Sequence, residues 1–249
     1  MKISIITPCY NAARFLSETI DSILGQSYAN WELIVVDDCS TDTSRQILTD
    51  FSNQDDRIHV LFNEFNQGAA ASRNKAIEIA TGEFLAFIDA DDLWMPNKLT
   101  DQLEAMLKSN LAFSFTSYDV VDELGGFTGQ TVDTKSKPLV DYHDMLAKRA
   151  TIGCSTVMLD LRRLGEVRMP LIRTGQDYGL WLQILKCGHK AQLVPKVLSS
   201  YRKVSGSISA NKLKKAHRQW QIYRQIENLA FFPSVYYFLN YAYRAVFRK

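Results

Sequence analysis

The chain has 249 residues, 46% of them hydrophobic and 22% charged, which is material for one large core and excludes an intrinsically disordered protein. Residues 202 to 249 hold ten Lys or Arg against one acid, Glu227, whereas residues 1 to 201 hold nineteen against twenty-six, so the body is acidic and only the tail is basic. An acidic body argues against a nucleic-acid groove, and four scattered cysteines (Cys9, Cys39, Cys154, Cys187) with no C-x-x-C pair exclude a disulfide framework or structural zinc.

The chain opens on Ile3-Ser4-Ile5-Ile6-Thr7-Pro8, too short an apolar stretch for a signal peptide and without a small-residue cleavage site, so the expected location is cytoplasmic. Short β-branched runs at Ile3 to Thr7, Trp31 to Val36, Ile58 to Phe62 and Phe84 to Ile88 read as buried strands. Helical periodicities lie between them: Phe15 to Leu24, Ile47 to Phe51 and Ala76 to Ala80. A strand and helix alternation of this kind predicts a doubly wound, mostly parallel α/β sheet with helices on both faces.

After Pro96 the pattern predicts a helix to about Ser109 and a strand from Ala112 to Tyr118. Residues 119 to 138 read as loop or irregular hairpin, 141 to 149 as helix, Ser155 to Leu159 as strand, and Asp177 to Lys186 as a helix stopped by Gly188. Gln192 to Val197 leads into a polar stretch, Ser199 to Ser209, and then a basic helix from about Asn211 to Asn228.

Ligands of doubly wound sheets bind at the carboxyl ends of strands. Here those ends read Pro8-Cys9-Tyr10-Asn11, Asp37-Asp38-Cys39-Ser40 and Asp89-Ala90-Asp91-Asp92. Two acids spaced by one residue suit Mg2+ or Mn2+, which take one or two carboxylates and complete their shell with phosphate and water. The same acids also suit a capped turn, with Asp92 or Asn97 bonding backbone amides, and Ser40 or Thr41 reads as the cap of the second helix. Tyr10 offers a ring for a planar base, and Gly68 to Asn74 combines small residues with the permanent cation of Arg73, features that suit a diphosphate.

Thr7 to Asn11, Val36 to Ser40, Gly68 to Asn74, Asp89 to Asp92 and Gln176 to Leu182, in this order, resemble glycosyltransferase family 2, inverting enzymes of the GT-A fold. The resemblance covers residues 1 to 210, the expected catalytic domain, with 211 to 249 as a helical tail. It implies that Pro8, Tyr10 and Asp38 border a uracil pocket, that Asp89 lies near the ribose, and that Asp91 meets Mn2+ or Mg2+ at the diphosphate. Asn11, Arg73 and Ala90 join these as implied nucleotide-sugar-binding residues.

Asp177 matches the family's general base, and its place at a helix start predicts a stabilised, ionised carboxylate. The chain departs from the family pattern at Gln176 and Gly179, where many relatives carry acids. It departs again at Lys203, Val204 and Ser205, where some members place a histidine; Arg202 or Lys203 is the expected diphosphate contact instead.

The tail carries Leu229 to Phe247, a long apolar and aromatic run broken by Pro233, Asn240 and Arg244, with Lys212, Lys214, Lys215, Arg218 and Arg224 before it. It fits an interfacial helix on an anionic membrane, or equally an aromatic hairpin packed on the protein or on a second copy in a homodimer. The leading expectation is a metal-dependent hexosyltransferase that uses a UDP-sugar. Similar tails accompany family members building bacterial surface polysaccharide such as capsule or lipopolysaccharide, which implies a glycan acceptor on undecaprenyl diphosphate. A nucleotide-sugar sensor or scaffold would use the same strand ends without Asp177. A sugar nucleotidyltransferase would need a glycine-rich triphosphate loop after the first strand, and Thr7 to Asn11 has no glycine.

Overall fold

Strands β1 (Ile3–Cys9), β2 (Trp31–Asp37), β3 (Ile58–Phe62) and β4 (Phe84–Phe87) pair in parallel in the order β3-β2-β1-β4. The structure is a computed structural model; it describes residues 1–133, 137–204 and 212–247, with no side chains described at 212–215 and 245–247. The expected segments Ser205 to Ser209 and the side chains of Lys212, Lys214 and Lys215 lie outside the described residues.

Strands β1, β2 and β4 are apolar at successive positions because both sheet faces are covered. Ile6, Ile34, Val36, Leu85 and Phe87 pack under α3 (Ala69–Ile79). Ile3, Ile5, Leu33, Val35, Phe84 and Ala86 face α1 (Leu16–Leu24), and Leu48 of α2 (Ser44–Gln54) joins their cluster. The alternation is the two-residue period of a strand, written twice over with apolar residues.

Beyond β4 come β5 (Leu93–Trp94), α4 (Lys98–Ser109), β6 (Phe113–Val121), β7 (Phe127–Val132), β8 (Leu139–Val140) and α5 (Tyr142–Leu146). A single 3₁₀ turn (Cys154–Thr156), β9 (Met158–Asp160), α6 (Leu161–Leu164), α7 (Gln176–Lys186) and β10 (Ala191–Arg202) follow. The main path of the ten-stranded sheet continues β4-β9-β6-β10-β5; β9 is antiparallel to both neighbours, and β10 runs parallel to β6. The parallel character therefore belongs to the amino-terminal half, and the second half is mixed.

Four local expectations are corrected. Ser199 to Arg202, read as a polar connection, is the end of β10; its serines are polar because Ser199 Oγ donates to Ser155 O at 3.1 Å. Ser155 itself sits in the 3₁₀ turn, so the strand after it starts at Met158. Helix α2 starts at Ser44, and Asp42 rather than Ser40 or Thr41 takes its first amide, Ser44 N, at 2.9 Å. Pro233 does not break the tail: it lies in the first turn of α9 (Phe231–Phe247), where a missing N–H leaves no bond unmade.

Helix α8 (Lys212–Gln221) runs into a π-helical turn (Ile222–Ile226), whose Ile222 and Tyr223 are buried in the core that holds α7. Trp220 meets Phe231 and Phe238 of α9 edge-on, and Tyr223 meets Tyr237. The tail thus packs on the body through one face.

Candidate active site

The carboxyl ends of β1, β2 and β4 are adjacent, and hydrogen bonds tie those of β1 and β2 together. Asp38 N donates to Cys9 O at 2.7 Å, Asn11 N to Ser40 Oγ at 2.9 Å and Thr41 N to Asn11 Oδ1 at 2.8 Å. Asn11 and Cys39 both hold left-handed backbone, φ 50° and 65°. Such conformations in non-glycine residues persist only where surrounding bonds over-determine them. Beside them Pro8 is half-buried and Tyr10 is 52% exposed on the rim.

Asp38 is buried and faces inward. Its carboxylate accepts from Asn63 Nδ2 at 2.8 Å, Gln67 N at 2.8 Å and Gly68 N at 2.7 Å. These two amides brace the end of β2 against the start of α3, so they are committed to Asp38 rather than to a diphosphate approaching the Gly68 to Asn74 segment. Arg73 is likewise buried rather than open: its Nη2 pairs with Asp89, and Nε and Nη1 lack a hydrogen-bond partner among the described residues.

The Asp-Ala-Asp-Asp turn divides three ways. Asp89 is partly exposed, its N–H donating to Ser155 Oγ at 3.1 Å, and Ala90 is buried beneath the turn. Burial, and then the charge of Asp89, pushes the Asp91 carboxyl up to about 6. Among the described residues no other residue donates to the Asp91 carboxylate, so it is open to a ligand. Asp92, read as a cap of its own turn, is instead a buried clamp: it accepts from Ser155 Oγ at 2.5 Å and from Arg202 N at 2.9 Å. Burial holds its carboxyl far above the ordinary carboxylate range.

Arg202 belongs to this scaffold and not to an open phosphate site. Its guanidinium is buried against the Phe15 ring and donates to Asp91 O at 2.9 Å, Glu123 O at 3.0 Å and Glu18 Oε2 at 2.6 Å. Lys203, the next residue, is exposed.

Helix α7 brings Asp177 to the same place from 86 residues further along the chain. It is anchored by Trp181, which is fully buried with ring centroids 5.6 Å from Phe87 and 5.2 Å from Phe113. Gly179 is required there because a Cβ would lie 2.7 Å from Pro170 Cγ, so the family's acid at this position has no room.

Burial raises the Asp177 carboxyl above its usual value, against the opposing pull of Arg73. The expected helix-terminus stabilisation of the charge is thus outweighed by desolvation. The result is a stronger base than a free aspartate. Arg73 interacts with both Asp89 and Asp177, and burial works against its charge while these acids and the adjacent Cys154 raise its pKa. One guanidinium therefore links the strand-end acid to the helix-borne one.

Ser155 was invisible to sequence reasoning, yet it takes the Asp89 amide, donates to Asp92 and offers its carbonyl to Trp94 Nε1 at 2.7 Å. A single serine in an apolar run carries no signal of such a role.

The family model for glycosyl transferase family 2 matches residues 4–158. The chain belongs to glycosyltransferase family 2. This glycosyltransferase is 44% identical over 247 residues to a Bacillus subtilis protein with the provisional name teichuronic acid biosynthesis glycosyltransferase TuaG, covering 99% of this chain and 97% of that one. It is 41% identical over 241 residues to the Escherichia coli enzyme WfgD, named as a UDP-Glc:α-D-GlcNAc-diphosphoundecaprenol β-1,3-glucosyltransferase, covering 96% and 91%.

Among solved structures, S. aureus TarS 1–349 with UDP-GlcNAc superposes with a TM-score of 0.73 at 23% identity over 91% of this chain and 65% of TarS, so this chain spans less than two thirds of it. The Pyrobaculum calidifontis mannosyltransferase PcManGT, with GDP-Man and Mn2+, gives 0.71 at 21% identity over 98% and 70%. At these identities the likeness shows the fold, which is GT-A. The matched family segment ends before Asp177, so the enzyme's helix-borne acid rests on its own geometry.

The residues of this glycosyltransferase fit a shared rather than a fully protein-held cation. Among the described residues no cluster of three or more His, Cys, Asp or Glu side chains forms a metal cage. Asp91, its carboxyl raised by burial and then by Asp89, offers one carboxylate, which fits the one or two that Mg2+ or Mn2+ takes when phosphates complete its shell.

Proposed function

We propose that this enzyme transfers a hexosyl unit, with inversion, from a UDP-sugar to a hydroxyl of a lipid-linked glycan in the synthesis of a bacterial surface polysaccharide. The observation that carries the proposal is that Arg73 interacts with both Asp89 and Asp177 while Asp91 lies beside Asp89, an arrangement that suits a diphosphate side next to a proton-accepting side. The names of WfgD and WfaP, both glucosyltransferases acting on a diphosphoundecaprenol acceptor, support the substrate class.

Tyr10 stacks on the uracil, with Pro8, Asn11 and the brace at Asp38 shaping its pocket. Asp89 and Ala90 border the ribose. Arg73 holds Asp89 in place, and Lys203 supplies a cation toward the diphosphate. Asp91 would hold Mn2+ or Mg2+, which would supply positive charge against the negative charge that the leaving UDP develops. An Asp177 Oδ atom removes the proton of the acceptor hydroxyl as that oxygen attacks the anomeric carbon from the side opposite UDP. Residues 1 to 210 form the catalytic unit.

The tail, 211 to 249, docks the enzyme on the inner face of the membrane. No described helix is long and apolar enough to cross a bilayer, whereas Phe232, Tyr236, Leu239 and Tyr243, spaced four, three and four residues apart, are exposed along one face of α9. That stripe suits an interfacial position.

The test is UDP release from a panel of UDP-sugars with a glycosyl-diphospho-lipid acceptor, with Mn2+, with Mg2+ and with EDTA. Release with one donor, lost in EDTA, is expected. Absence of release with every donor, together with no thermal protection by UDP, overturns the reading.

A further inference from the structure

Where the basic tail meets the body, a cleft of about 180 Å³ opens, lined by Ile172, Arg173, Arg218, Gln221, Gln225 and Ile226. It is separate from the strand-end rim, because its residues come from the segment before α7 and from α8 with its π-helical turn. Two permanent cations and two amide side chains line it, with no acid among them. Among the described residues no carboxylate pairs with Arg173 or Arg218.

Arg218 is held in place by one arm, Nη1 donating to Thr174 O at 2.5 Å, which leaves its other N–H groups for a ligand. Gly175 lies so close to the π-helical turn that a Cβ would stand 3.2 Å from Ile222 Cδ1. The cleft is therefore built against the loop that leads directly into Asp177. Arg173 is four residues from Asp177, at most ~14 Å along the chain. Guanidinium forks pair with phosphoryl oxygens at two points, and two of them facing one cleft suit a group with several anionic oxygens.

We propose that the Arg173 and Arg218 cleft binds the diphosphate of a glycosyl-diphospho-lipid acceptor. The inference rests on Asp177 being the base. With the reacting hydroxyl at Asp177, the sugar that bears it spans to the cleft, and the diphosphate on its anomeric carbon meets the two arginines. Ile172 and Ile226 add apolar surface to the same lining. Diphosphate and the start of the hydrocarbon thus meet cations and apolar side chains in one cleft.

The experiment is calorimetric titration of the full chain, its donor site saturated with UDP and Mn2+, by phenoxyundecyl diphosphate and by phenoxyundecyl sulfate, both below micelle formation. The wild type should bind the diphosphate at least tenfold more tightly than the sulfate. Arg173→Gln and Arg218→Gln should each lose at least tenfold of that affinity, and both should keep the wild-type thermal shift with UDP. Equal affinity for the two amphiphiles, or an unchanged Arg173→Gln variant, overturns the proposal.

So does capture by phosphatidylglycerol vesicles that depends on Arg173 while the alkyl diphosphate does not bind, since the cleft then reads a membrane surface. No transfer is measured, so an error in the glycosyltransferase reading shows separately, as missing UDP protection or UDP release.

Discussion

Ser155 donates its hydroxyl to the Asp92 carboxylate at 2.5 Å while accepting the Asp89 N–H at 3.1 Å, so one side chain fixes both ends of the acidic turn. Ser155→Ala removes both bonds and leaves a buried carboxylate short of a donor, a loss of ~1–3 kcal/mol. The expected outcome is a lower melting temperature and a severalfold weaker metal-dependent affinity for UDP. Thermal melts and UDP titration with Mn2+ check it, and an unchanged UDP affinity would detach Ser155 from the site.

Asp177→Asn should lower kcat by ~10²–10⁴ with UDP affinity unchanged. The raised pKa of Asp177 fixes the sign of the pH dependence. A base acts when ionised, so kcat should fall as pH drops through that raised value, at higher pH than an unperturbed aspartate would give. A kcat profile against pH, run beside the variant's residual rate, decides this. An acid limb that survives unchanged in Asp177→Asn belongs to another group.

Arg202 and Lys203 are adjacent in sequence and separate in role. Arg202→Lys cannot reproduce three donor directions at once, so it should lower the melting temperature by several degrees and leave the donor KM of the folded enzyme within about twofold. Lys203→Ala should raise the donor KM and leave the melting temperature alone. Steady-state kinetics and melts on both variants test the division, and the reverse pattern would return Arg202 to the diphosphate.

Lys98 is fully buried over the Trp94 ring, 3.8 Å from its centroid, and its Nζ has no hydrogen-bond partner among the described residues. Burial pushes its pKa far down, so the unfolded chain binds a proton there that the folded chain gives up. Stability from this site therefore rises with pH from the depressed folded value toward the unfolded value near 10.5. Lys98→Met, similar in length and apolar, should raise the melting temperature at neutral pH and flatten its rise between neutral and alkaline pH. Melting curves of both proteins across that range give the answer.

The parallel half of the fold was legible because β1, β2 and β4 are local and buried on both faces, so Ile3 to Thr7, Trp31 to Val36 and Phe84 to Ile88 announce themselves as apolar runs. The strand-end clusters were legible for the same reason, since a polar residue just after a buried strand has to surface at the sheet rim. Tyr10, Asp89 and Asp91 needed nothing more than this.

What a side chain does once there depends on partners far away in sequence. Asp38, Asp92 and Arg202 are acids or bases of the right type in the right motif. Tertiary packing nonetheless committed Asp38 to the amides of Gln67 and Gly68, Asp92 to Ser155 and Arg202 N, and Arg202 to Glu18 and two carbonyls. The charge state of Asp177 was decided the same way: burial shifts the balance toward the acid, although local helix position and Arg73 favour the anion. Sequence determined which groups reach the rim, through a local periodicity. Only the folded chain decided which of them still face solvent, because burial and long-range hydrogen bonds are properties of three-dimensional neighbours.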